Sequence, residues 1–193
     1  MDIGQGAGLA TTSGVRPLVP PIVAGVLAHA DAGTNFTETD WSWMESWIWI
    51  ALLAVFFLSG WVFDRSRTNE RPRPEASVGY GVLAGAMGAL TFAASLADGG
   101  HSAWPGLVAG AAVGFVAYLA LARLFMRVTQ RLQATGDSGT LLGIGRDASA
   151  VAVSAAVVFA GVLGYVAVVV ALALLLVGRR RGDEKYEGLR VLR

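Results

Sequence analysis

Ser77 to Ala97 reads SVGYGVLAGAMGALTFAASLA, 21 residues without a charge, and a second uncharged run of 20 follows from Ala103 to Ala122. An α-helix needs about 20 apolar residues to cross the hydrocarbon core of a bilayer, so each run predicts one membrane span. The connection between them, Asp98, Gly99, Gly100, His101 and Ser102, is short enough to predict a tight helical hairpin.

Working outward, Trp47 to Phe63 is a further uncharged run of 17 residues, bounded by Glu45 and by Asp64 and Arg65. Ala148 to Gly178 is uncharged for 31 residues, about 46 Å as a straight helix against a core of about 30 Å. Extended backwards through Gly139 to Gly145, that region reaches the length of two short passes, with Gly161 and Gly164 marking the bend. Ile3 to Ala30 is apolar apart from Arg16, but Pro17, Pro20 and Pro21 interrupt it. Proline lacks a backbone donor and its ring crowds the preceding turn, so this segment is a broken or re-entrant helix, or two short pieces. A signal peptide would need a positive N-terminal region, and no Lys or Arg precedes Arg16.

The composition agrees. Of 193 residues 54% are hydrophobic and 15% charged, with a mean hydropathy of +0.56, where a soluble domain carries about 25% charged residues. The absence of cysteine removes disulfides, thiolate nucleophiles and Cys-type zinc sites, and two histidines, His29 and His101, leave little for imidazole chemistry. A net charge of +1 argues against nucleic acid as a partner. The expectation is an all-α, polytopic membrane helix bundle of about six segments over 1–178, the first and fifth irregular, with a basic tail over 179–193. No metal or cofactor is expected.

Topology follows from the arginines. Asp31 to Met44 carries no Lys or Arg and three acids, whereas Arg65 to Ala76 carries four arginines and the stretch from Arg127 to Arg146 three. Such alternation places the Arg-rich connections in the cytoplasm, and the tryptophans from Trp41 to Trp49 at the outer interface. Arg179, Arg180 and Arg181 after the last run put the C-terminus inside, and six crossings then put the N-terminus there too. The expected location is the cell membrane, multi-pass, with both termini cytoplasmic.

Two sets of small residues predict how helices meet, since small side chains every four positions let backbones approach. Gly81, Gly85, Ala89, Ala93 and Ala97 form one ladder; Gly106, Gly110 and Gly114 form the other. They read as facing seams. Arg123, Arg127 and Arg131 form a basic stripe at four-residue spacing, suited to anionic lipid headgroups and equally to ordinary cytoplasmic anchoring with snorkelling side chains.

Charges inside apolar segments are costly, so each is a functional candidate. Arg16 stands immediately before Pro17, where a broken backbone leaves carbonyls that a guanidinium can satisfy. Arg146 and Asp147 open the fifth segment. Helix neighbours point about 100° apart, which leaves Asp147 to reach Arg16 rather than Arg146. The resulting candidate is an intramembrane polar site of Arg16, Pro17, Arg146 and Asp147 between two interrupted segments, the arrangement that lines substrate sites in many transporters. The alternative puts Arg16 at headgroup level and Arg146 at the end of a cytoplasmic loop.

On these residues the chain resembles a family of small multi-pass bacterial membrane proteins, domain-of-unknown-function family four-one-two-six. The resemblance is carried by the break at Ser13, Gly14, Val15, Arg16 and Pro17, by a Gly- and Ala-rich span after a charged connection, and by Asp147 opening the last apolar region. It runs from about Gly4 to Gly178. Arg146 stands where that family has the first of two acids, and an Arg-rich run replaces its acids after the second span. The resemblance implies architecture and no activity.

No paired carboxylates, histidine cluster or nucleotide loop appears, and Ser13 and Ser154 have no base near them in sequence, so no enzyme is expected. The expected function is transport or channel-type passage of a small solute or ion through the polar site. The alternative is a non-catalytic structural or accessory subunit of a membrane complex. Expected partners are the lipid bilayer and a homo-oligomer or membrane-complex partner.

Overall fold

The structure, a computed structural model, describes residues 3–66, 74–134 and 140–190; the side chains of 63–77, 122–123, 126–127, 129–142 and 178–190 fall outside that description. Among the described residues there are seven α-helices and no strand: α1 (Ile3–Ser13), α2 (Val19–His29), α3 (Trp47–Ser66), α4 (Pro74–Asp98), α5 (Trp104–Ala134), α6 (Thr140–Phe159) and α7 (Val162–Arg190), with a 3-10 turn at Ser42–Glu45. Two of them are long and apolar enough to cross a membrane, over Val78–Asp98 and Trp104–Leu121. Val19–His29, Trp47–Val62 and Val162–Val177 are apolar but shorter. The described residues are therefore all-helical, with a hairpin of two helices long and apolar enough to cross a membrane.

Proline decides the start of the chain. Arg16 precedes Pro17, a position pushed out of the helical region, and α1 ends at Ser13. Carbonyls of its last turn are taken up by the residues that follow, Gly14 N donating to Thr11 O at 3.0 Å and Val15 N to Thr12 O at 2.9 Å, while Thr11 Oγ1 donates to Ala7 O at 2.8 Å and Ser13 Oγ to Leu9 O at 3.0 Å within the helix. Pro20 and Pro21 do not prolong the break. They sit in the first turn of α2, where a missing N–H removes no helical bond.

The first expected segment is thus two helices, and they fold back on each other. Gln5 lies against Ser95 of α4, and Ala28 clusters with Ala94, so the start of α1 and the end of α2 reach the same height on α4. The turn between them reaches the other end of the hairpin, where a Cβ on Gly14 would lie 2.5 Å from Tyr118 N. Helix α2 closes with Asp31 at φ 50° while Ala32 N bonds Leu27 O at 2.8 Å, and α4 closes the same way with Gly100 at φ 74° and His101 N on Leu96 O.

Helix α1 is the centre of the bundle. Residues 4–13 are buried, and α1 packs against α4, α5, α6 and α7. Glycine-rich helices are intrinsically weak, by about 1 kcal/mol per glycine relative to alanine, so this one is held by its surroundings. A Cβ on Gly8 would stand 2.6 Å from Gly164 Cα, and a Cβ on Gly88 2.6 Å from Gly110 O and 3.4 Å from Ala10 Cβ.

The five predicted packing glycines all lie between α4 and α5. Gly81 faces Phe115 and Tyr118, Gly85 faces Ala111, Gly106 faces Ala93, Gly110 faces Gly88, and Gly114 faces Ala84. On α4 the contact takes in Gly81, Gly85 and Ala93 of the four-residue ladder together with Ala84 and Gly88 beside it. Four residues turn about 400° at 3.6 residues per turn, so a ladder drifts about 40° per rung and the contact draws on the neighbouring row as well.

The last apolar region breaks at Ala160 and Gly161. Helix α6 runs antiparallel to α1, with Ser154 beside Thr12 and Val157 beside Gly8. Helix α7 then returns alongside α1 and α5, Val168 packing on Ala7, Ala10 and Phe92. Its backbone stays helical to Arg190, so the segment from 179 begins as a continuation of α7. Because the first segment folds back, the start of α1 lies at the Asp98 end of the bundle and the end of α7 at the opposite one.

Gly110→Leu is expected to overpack the α4–α5 contact and cost about 1–3 kcal/mol or more, read as a lower unfolding temperature in detergent. Gly143→Ala, where a Cβ meets nothing within 4 Å, is expected to leave that temperature unchanged or raise it slightly.

Candidate functional site: an ion pair between two interrupted segments

The break between α1 and α2 delivers Arg16 to α6. Arg16 Nε donates to Asp147 Oδ1, and Arg16 Nη2 donates to Asp147 Oδ2 at 3.3 Å, so two nitrogens of the guanidinium face the two oxygens of one carboxylate. The side chains are 12% and 17% exposed. A two-point contact of this kind fixes orientation as well as charge. Arg146 Nε lies 3.9 Å from Asp147 Oδ1, at the edge of an ion pair. The carboxylate therefore sits between two arginines, with Arg16 the nearer.

Aromatic rings stand beside both cations. Arg16 Cζ is 5.9 Å from the centre of the Phe57 ring and Arg146 Cζ is 5.6 Å from that of Phe125, within the range where a ring face attracts a cation. Pro17 and Leu18 follow Arg16 along the wall of a cavity between α3 and α4 that Gly60, Gly79 and Tyr80 also line. Gly79 and Tyr80 belong to the first turn of the span that begins at Val78. Arg16 thus stands near one end of the spanning hairpin rather than at its middle.

Behind the pair, α1 carries polar side chains up through the core. Ser154 Oγ donates to Thr12 Oγ1 at 3.2 Å, and Ser95 Oγ donates to Gln5 Oε1 at 3.4 Å. Gln5, Thr12, Ser95 and Ser154 are all buried. Gln5 Nε2 is buried without a hydrogen-bond partner, a costly condition away from water. Ser13 Oγ donates to Leu9 O and Ser154 Oγ to Thr12 Oγ1.

Of the predicted residues, Arg16, Pro17, Arg146 and Asp147 come together. The side chains of Arg123, Arg127 and Arg131 lie outside the described residues, although α5 passes through all three. Sequence reasoning passed over Gln5, Thr12 and Ser95. The available signal was their polarity inside uncharged runs, and Gln5 is the amide of the first segment. Among the described residues no group of His, Asp and Glu is arranged to hold a metal ion.

Fold and site together define an all-helical, membrane-associated protein with a charged contact between interrupted segments. The chain belongs to the family described as Domain of unknown function (DUF4126), whose model matches residues 3–181. No curated protein and no solved structure is significantly similar to it.

Removing one partner of a largely buried ion pair strands the other, at a cost of about 3–5 kcal/mol. Arg16→Gln and Asp147→Asn are each expected to lower the unfolding temperature, and the double variant less than the two effects added. Full additivity in that cycle would show that the pair contributes no coupling.

Proposed function

We propose that this is a multi-pass protein of the cell membrane that passes a small polar solute or ion, and that the contact of Arg16 with Asp147 closes the pathway at its cytoplasmic end. The single observation that carries the reading is that contact: it joins the break between α1 and α2 to α6, across 131 residues of sequence. Broken helices meeting at a charged contact are a recurring construction of transport sites, and intramembrane charges persist where they serve a pathway. The polar residues of α1 above the pair supply a line of hydroxyl and amide groups toward the outer end.

Sidedness rests on the arginines. Helices α3 and α5, which the Arg-rich stretches follow in sequence, end on the Arg16 side of the bundle, and the acidic segment Asp31 to Glu45 lies on the other. The positive-inside preference then faces Arg16, Asp147 and the end of α7 to the cytoplasm and the start of α1 outward. In this arrangement all seven helices are membrane segments, α1 and α2 being the two limbs of one re-entrant hairpin. The reading as an accessory subunit draws on α3, whose outer face is apolar and exposed, with Ile48 83% accessible. That surface suits lipid equally well.

The test is charge exchange with a flux readout. Arg16→Asp and Asp147→Arg are each expected to leak or misfold, and the exchanged double variant to recover folding and restore gated flux of small ions or polar solutes in liposomes. Absence of flux from the well-folded wild type, together with co-purification of a fixed partner, would establish the accessory role instead. N-terminal labelling only from the cytoplasmic side would contradict the proposed sidedness.

A further inference from the structure

Asp147 has a second cation within reach. Arg16 engages both oxygens of the carboxylate, while Arg146 Nε stands 3.9 Å from Oδ1, about 1 Å beyond a charge-assisted hydrogen bond. Neighbours on a helix point about 100° apart, so Arg146 reaches the acid through the length of its side chain and is the weaker partner. Each guanidinium also lies beside a ring on a different helix, Arg16 by Phe57 of α3 and Arg146 by Phe125 of α5. A ring face attracts a cation, so both arginines have a hold that does not depend on the acid. Asp147 is the member they share.

The start of α6 leaves room for the acid to move between them. A Cβ on Gly143 or Gly145 meets no atom within 4 Å, and Ile144, Ala148 and Ser149 are exposed. Among the described side chains of α6 the first buried one is Ala150. Aspartate turns about two side-chain torsions, and passing from one staggered state to another needs no shift of backbone. Asp147 is only 17% exposed, and a charge so sheltered from water requires a partner. Parting from Arg16 alone would strand it. We propose that Arg146 is the alternative partner of Asp147, which passes from Arg16 to Arg146 when the contact between the interrupted segments opens. The inference deepens the function proposed above and rests on it for the purpose of the exchange. The sharing of one carboxylate by two arginines is tested apart from transport.

Unfolding temperatures in detergent are measured for Arg16→Gln, Arg146→Gln and the two together, each in the wild-type chain and in the Asp147→Asn chain. In the wild-type chain either arginine can cover for the other, so the paired substitution is expected to lose about 2–4 °C more than the single losses added. In the Asp147→Asn chain that excess is expected to vanish. Two arginines that merely repel each other give an excess that persists without the acid, and that result would overturn the proposal. So would strictly additive losses in the wild-type chain. If the paired variant does not fold, folding of the same pair in the Asp147→Asn chain supports the sharing, and failure in both chains contradicts it. Flux in liposomes then reads the exchange. Arg16→Gln is expected to leak, whereas Arg146→Gln, which removes the partner of the open state, is expected to lower flux about tenfold. A leak or unchanged flux in Arg146→Gln would contradict its part in opening. Absence of flux from the wild type would refute transport instead, and the unfolding measurements would still decide whether Asp147 is shared.

Discussion

A helix made almost wholly of glycine, alanine and small hydroxyl residues has no bulky side chains with which to hold its neighbours, so its neighbours must reach its backbone. Helix α1 is such a helix, and the rest of the bundle depends on that close approach. Gly8 meets Gly164 and Val157, and Ala10 meets Gly88 where α4 and α5 are themselves in backbone contact. With lipid in place of water there is little hydrophobic gain from pressing apolar helices together, and dispersion between closely packed backbones takes its place. Small residues concentrate at these contacts and large ones on the outside. Trp47, Phe56 and Val169 are exposed, whereas much of the interior is Ala, Gly, Ser and Thr.

Close packing also governs the polar groups. Threonine and serine on α1 return their hydroxyls to carbonyls one turn back, which satisfies them within the helix and leaves the surface smooth. Thr12 meets a partner on α6 and Gln5 one on α4, so polar contacts as well as backbone proximity set the register of α1. Arg16 ends the series. Its charge needs a countercharge at that depth, and α6 supplies Asp147 about two turns from Ser154. The pair joins the tip of the hairpin to a helix distant in sequence, which ties the only strongly interrupted stretch of the first segment to the rest of the bundle.

Much of this was legible in the sequence, and the reasons differ by element. The α4–α5 hairpin follows from the lengths of two uncharged runs and a five-residue polar connection. The break at Arg16 and Pro17 follows from proline geometry, and the interruption near Gly161 from a run too long for one crossing. The juxtaposition of Arg16 and Asp147 follows from scarcity, since few charges stand in apolar surroundings and they need each other. The folding back of α1 on α2 was among the alternatives, a broken or re-entrant helix or two short pieces, but the sequence did not choose between them. Hydropathy cannot distinguish a segment that crosses from one that turns round, and with a single arginine at the turn the charge count offers no arbiter. The glycine seam was legible on α5, whose three rungs stay in contact, and on α4 at Gly81, Gly85 and Ala93, while Ala84 and Gly88 in the neighbouring row were not singled out. Gln5 and Ser95 are 90 residues apart, and nothing local announces that they meet.

The central claim is that α1 is a buried limb lying antiparallel to α6. The chain has no cysteine, and Thr12 Oγ1 and Ser154 Oγ are 3.2 Å apart, so cysteines at these two positions fall within disulfide reach. The variant carrying Thr12→Cys and Ser154→Cys, oxidised in membranes and cut at a protease site engineered between the two positions, tests the packing directly. The account predicts that the fragments stay joined until a reductant is added, and that a control pairing Thr12→Cys with the exposed Val151→Cys separates at once. Fragments that separate before reduction in the Thr12 and Ser154 variant, under conditions where it folds, would contradict it.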